Sequence, residues 1–135
     1  MGAVVVLDSS VLLSLWDPDD PRHAVAASAI RDLRVARARF VVPSLVLAEV
    51  LVGAARQGEG MIRLRLAQLR AAFGEPHPID TKIGMAAARL RGAHGSIRTP
   101  DALVIAAAQV IGADEVLTTD RRWEQVEHRV RVLAG

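Results

Sequence analysis

Hydrophobic and polar positions along the chain alternate between short apolar runs and longer stretches of helical period. "AVVVL" (3–7) is β-branched and too short for a helix, so it predicts a buried strand. "VLLSLW" opens a helical segment that "DPDDP" breaks. "RHAVAASAIRDLRVARAR" predicts a helix with Asp20 as N-cap and Pro21 at its first position. "FVV" (40–42) predicts a second strand closed by Pro43, with Ser44 capping the helix "SLVLAEVLVGAA" (44–55). "MIRLRLAQLRAAF" sets Ile62, Leu66, Leu69 and Phe73 on one face and points Arg63 and Arg70 elsewhere, an amphipathic surface helix. "EPHPI" predicts a short edge strand, and "TKIGMAAARLRG" a helix ending at Gly92. Thr99, Pro100 and Asp101 start the helix "ALVIAAAQVIG", and "EVLT" and "RVRVL" predict further strands.

Strands alternating with helices imply an α/β fold in three layers, a mostly parallel central sheet flanked by helices. No repeat, low-complexity tract or linker interrupts it, so residues 1–135 are read as one domain. In such sheets ligands bind outside the carboxyl ends of the strands, where the strand order reverses.

That edge is where carboxylates gather. Asp8 follows "VVVL" and Asp120 follows "EVLTT", so both border the expected crevice. Asp101 lies in the first turn of an apolar helix, and Glu49 sits among apolar and small residues of another. Each has a bland reading: Asp101 complements a helix dipole, Asp8 and Asp120 are turn or cap residues, and Glu49 pairs with Arg56 two turns along. Together the bland readings weaken, because acids crowded on one edge repel unless something positive sits among them. Carboxylate oxygens suit Mg²⁺ or Mn²⁺, whereas His23, His77, His94 and His128 are scattered with no zinc-ligand spacing. On this reading Glu49 is buried because it faces a metal.

Composition narrows the class. Hydrophobic residues make up 51% and charged residues 24%, as in ordinary globular proteins rather than disordered ones. The absence of cysteine excludes a disulfide framework and thiolate metal sites and suits a reducing cytoplasm. The N-terminal run has no basic leader and is interrupted by Asp8, so it is read as folded protein; no run approaches the roughly 18 apolar residues of a membrane span. The net charge is only +2, but with four acids committed to metal, seventeen basic residues face eleven acidic ones. Arg31, Arg34, Arg37, Arg39, Arg89, Arg91 and Arg98 are candidate phosphate contacts, each weighed against a plain solvated helix face. Two Trp, two Phe and no Tyr give no stacking platform for bases, so substrate choice is expected to rest on shape and phosphate contacts.

The order and spacing of "VVVLDSSVLL", "VPSLVLAEVL", "RTPDALVIAAA" and "EVLTTDRRW" resemble the PIN-domain family and, within it, the VapC-type toxins of bacterial toxin–antitoxin pairs. The resemblance spans the whole chain. It implies that Asp8, Glu49, Asp101 and Asp120 hold Mg²⁺ or Mn²⁺ for hydrolysis of RNA phosphodiester bonds, and that Ser9 and Thr118 supply hydroxyls supporting the acids. Trp123 stands where a phenylalanine is common, a packing position. The resemblance also implies a cytoplasmic protein, a homodimer, and a cognate antitoxin whose short segment folds onto apolar helix surface. Competing readings are a non-catalytic module with a structural cation and a haloacid-dehalogenase-like phosphatase using Asp8. The latter wants a second aspartate where Ser10 stands. A receiver domain would want a lysine at the sheet edge, and Lys82, the only lysine, lies at a helix start. No Gly-rich phosphate loop occurs.

Overall fold

The computed structural model describes residues 2–134. Among them four strands, β1 (Val4–Leu7), β2 (Arg39–Val41), β3 (Glu115–Thr118) and β4 (Val130–Val132), form one sheet in the order β2-β1-β3-β4. Every pairing is parallel, with Val5 opposite Phe40, Val6 opposite Val116, and Leu117 opposite Arg131. Val5, Val6 and Leu7 are consecutive and fully buried, as are Val116, Leu117 and Thr118. Side chains alternate faces along a strand, so this pattern requires cover on both sides of the sheet and explains why the central strands read as unbroken apolar runs.

The helices are α1 (Ser9–Trp16), α2 (His23–Val35), α3 (Leu47–Val50), α4 (Val52–Gln57), α5 (Glu59–Phe73), α6 (Thr81–Ala93) and α7 (Thr99–Ile111). The apolar α7 is buried along Val104, Ile105, Ala106, Ala107 and Ala108, its small residues letting it pack on α6, β1 and β3. It ends at Gly112, whose φ of 68° is the left-handed conformation that glycine adopts at least cost. On α5, Leu69 and Phe73 are buried while Arg63 and Arg70 are exposed, as expected of an amphipathic surface helix.

From β1 the chain moves to one side for β2, then crosses back over β1 to reach β3. Strand order therefore reverses between β1 and β3, and the carboxyl ends of those two strands flank the switch point.

Several sequence boundaries are corrected. Asp20 does not cap α2; its carboxylate accepts from the Arg22 N–H at 2.7 Å in a turn, and α2 begins at His23. Proline at 21 fits that turn equally well. Segment 44–55 is not one helix: a 3₁₀ turn over Ser44–Val46 leads into α3, and Leu51 separates α3 from α4. The Ser44 side chain makes no cap; its N–H instead donates to the His77 carbonyl at 2.8 Å. "EPHPI" contributes only an isolated bridge from His77 to Pro43, which its two prolines keep from becoming a strand. Among the described residues no helix is long and apolar enough to cross a membrane.

Candidate active site

Asp8 is the N-cap of α1, at the end of β1, and its carboxylate is held from three directions. Oδ1 accepts from the Ser9 N–H at 2.8 Å; Oδ2 accepts from Ser10 Oγ and from Thr118 Oγ1, each at 2.8 Å. The Ser9 hydroxyl reaches Oδ1 only at 3.4 Å. Ser10 is thus the serine whose hydroxyl holds Asp8, and sequence reasoning missed it. Its signal was the pair of serines after a capping aspartate, where the second comes round the first helical turn. Ser10 Oγ also accepts from the Thr119 N–H at 3.1 Å, and Thr118 Oγ1 accepts from the Asp120 N–H at 3.1 Å. Two hydroxyls therefore tie the end of β1 to the end of β3.

Burial pushes the Asp8 carboxyl above the usual carboxylate range despite these donors, and the charge of Glu49 pushes the same way. Asp101, in the first turn of α7, is half-buried; burial raises it first and Asp8 next, while Arg98 works against them. Asp120 is lowered, chiefly by its hydrogen bonds to Arg122. It caps the 3₁₀ turn Arg121–Gln125: Oδ1 accepts from the Arg122 N–H at 3.0 Å, and the guanidinium grips both oxygens, Nε at 3.0 and 3.2 Å and Nη2 at 2.6 Å.

Asp8 and Asp120 lie at the ends of β1 and β3, and Asp101, in the first turn of α7, feels the charge of both. Glu49 is close enough to be felt by Asp8, but the expectation that it is buried is wrong. It is exposed, because Val46 and Val50 occupy the inward positions of the short α3. No ion pair joins it to Arg56 among the described residues. Trp123 is 2% exposed, in keeping with a packing role. Two of the candidate phosphate-binding arginines have structural work instead. Arg34 donates to the Ala72 carbonyl and lies over the Phe40 and Phe73 rings, and Arg91 donates to the Ile97 carbonyl. Arg98 lines a cleft of about 100 Å³ with Asp101, Asp120, Arg122 and Trp123.

The donor set is all carboxylate and hydroxyl oxygen, which fits a hard divalent cation. Among the described residues no three His, Cys, Asp or Glu side chains are drawn together closely enough to ligate one ion.

A family model described as PIN domain matches residues 5–129. No curated protein matches the sequence. Among solved structures, the chain is similar to a toxin–antitoxin complex from Klebsiella pneumoniae, with TM-score 0.75 and 20% identity over 96% of this chain and 98% of that one. It is similar to VapBC2 from Rickettsia felis bound to a promoter DNA fragment, with TM-score 0.77 and 14% identity over 97% and 99%. A third is VapC20 from Mycobacterium tuberculosis, described as a toxin cleaving the sarcin-ricin loop, with TM-score 0.68 and 17% identity over 90% and 93%. At these identities the likeness is one of fold.

Proposed function

Because this chain belongs to the PIN domain family, we propose that it is a metal-dependent endoribonuclease acting as the toxin of a toxin–antitoxin pair. The observation that carries the reading is Asp8: a buried carboxylate, raised by its surroundings, at the switch point of a parallel sheet, with Asp101 in electrostatic range of it and of Asp120. Three hydrogen bonds orient that carboxylate without offsetting its burial, and a buried carboxylate kept on those terms is a candidate functional group.

Asp8, Asp101 and Asp120 would hold Mg²⁺ or Mn²⁺, with Glu49 completing the set from the exposed side. A divalent cation, when bound, supplies Lewis-acid polarisation of the scissile phosphate and lowers the pKa of the attacking water. The chain's own part is positioning. Ser10 and Thr118 fix the Asp8 carboxylate, the first turn of α7 presents Asp101, and Arg98, lining one cleft with Asp101 and Asp120, would contact a phosphate. No serine or cysteine nucleophile is required.

Partners follow from the fold and the surface. The similar structures from K. pneumoniae and R. felis are a toxin–antitoxin complex and a VapBC assembly, which supports an antitoxin for this chain. Leu13 on α1, Val52 on α4 and Leu64 on α5 are 46%, 42% and 50% exposed, apolar surface suited to a second copy and to an antitoxin helix. A dehalogenase-like phosphatase is disfavoured by Ser10, which donates a hydrogen bond to Asp8 where that chemistry needs a second acid. The test is cleavage of a mixed RNA pool. Wild type is expected to cut in Mg²⁺ or Mn²⁺ and not in EDTA, and a folded Asp8→Asn variant to be inactive. RNA left intact by wild type in either cation would leave a binding module with a structural ion.

A further inference from the structure

Arg122 grips Asp120 through both Nε and Nη2, yet its side chain is 79% exposed and the partner carboxylate 24%. An ion pair so open to water holds weakly. The two oxygens of Asp120 are also held differently. Oδ1 keeps a backbone donor, the Arg122 N–H at 3.0 Å, whereas among the described residues Oδ2 is bonded only by the guanidinium, at 2.6 and 3.2 Å. If the guanidinium lets go, Asp120 stays oriented by the backbone and presents a bare Oδ2. The side chain that leaves lines the same cleft as Arg98, the other guanidinium within reach of Asp101 and Asp120.

We propose that Arg122 is an exchangeable internal counter-cation: it occupies Asp120 Oδ2 until a divalent cation takes that oxygen, and the released guanidinium then binds a backbone phosphate of RNA in the cleft beside Arg98. The cation and the substrate are thereby coupled, because one residue gives up a carboxylate to the first and gains a phosphate from the second. Arginine suits both halves, since its planar fork matches carboxylate and phosphate alike. This rests on the cation-site reading above, and its test separates the two.

Mn²⁺ binding is measured by calorimetry on the full chain for wild type, Arg122→Gln and Arg121→Gln. Arg121 is exposed on the same turn and forms no ion pair with a carboxylate among the described residues, so its replacement removes equal charge without touching Asp120. Arg122→Gln is expected to bind Mn²⁺ about 3–10-fold more tightly, the loss of a competing surface pair plus a nearby like charge, and Arg121→Gln to differ from wild type by less than about 2-fold. Equal shifts in the two variants, or none, overturn the proposal and leave the cation site standing. No Mn²⁺ binding by any of the three overturns both. The second arm is anisotropy of a short fluorescent RNA with Ca²⁺ as the divalent ion. Ca²⁺ is expected to tighten RNA binding by wild type at least about 5-fold more than by Arg122→Gln, in line with losing a bidentate phosphate contact. An equal gain overturns the exchange.

Discussion

Thr118 is the fully buried residue through which the ends of β1 and β3 are joined, and Thr118→Val removes its hydroxyl while nearly keeping its shape. Two groups lose a hydrogen bond, though Asp8 Oδ2 keeps the one from Ser10. Asp8 Oδ2 loses a 2.8 Å hydrogen bond to a buried carboxylate, a class that contributes about 1.5–3 kcal/mol. The Asp120 N–H loses the hydroxyl oxygen that it reaches at 3.1 Å, and an unsatisfied donor costs about 1–3 kcal/mol when buried, less here because Asp120 is only partly so. The two effects share one atom and do not simply add, giving a loss of about 2–4 kcal/mol. In a chain of this size each kcal/mol moves the melting temperature by about 3–5 °C. Thr118→Ser keeps the hydroxyl and loses a methyl group, for about 1 kcal/mol. Urea denaturation at pH 7 in EDTA is therefore expected to rank wild type above the serine variant and the serine above the valine variant. The gap between the two variants should narrow in acid as Asp8 protonates and depends less on its donors. A valine variant as stable as the serine one would refute the idea that the hydroxyl holds Asp8 in place.

The pH dependence of the cation-free protein has two windows. Asp8 and Asp101 are raised above 3.8, so their contribution is full below that value and is lost as pH rises through their folded-state pKa; Asp120 is lowered, so its contribution is lost only as pH falls below 3.8. Urea midpoints in EDTA should rise as pH drops from neutrality to just above 3.8 and fall beneath it, and saturating Mn²⁺ should abolish the rise; a flat profile in EDTA would contradict the account. Glu49→Gln, at an exposed position, should change stability by less than about 0.5 kcal/mol but weaken Mn²⁺ binding about 10–100-fold, read by thermal melts and calorimetry. Unfolding of that variant would make Glu49 a structural partner. Gly112→Ala, forced to φ of 68°, should lose about 1 kcal/mol in the same melts, and an unchanged melting temperature would count against the left-handed helix end.

The central strands and the long helices were legible because burial on both faces leaves an unmistakable apolar run, as in Val5–Val6–Leu7, and because α5 and α7 keep one period over many residues. The placement of Asp8 and Asp120 was legible for the same reason: once two strands are known, the residues just past their carboxyl ends are known too. What failed is short-range geometry. Whether Asp20 caps a helix or turns the chain before it depends on where the next packing contact starts, and one sequence fits both. Apolar neighbours suggest that Glu49 is buried, but Val46 and Val50 take the inward positions and the four-residue α3 leaves Glu49 on its open side. In the sequence Ser10 stands out only as the place where a phosphatase would have its second aspartate, and its role as a donor comes from the first turn of α1. The grip of Arg122 on Asp120 follows from a 3₁₀ turn, which no helical period announces.

The most direct measurement of the central claim is anomalous diffraction from crystals grown with Mn²⁺. A manganese peak is expected, bounded by the carboxylates of Asp8, Asp101 and Asp120, with the Arg122 guanidinium swung off Asp120 Oδ2. Manganese only at unrelated surface positions, with Arg122 still paired to Asp120 at saturating Mn²⁺, would contradict it.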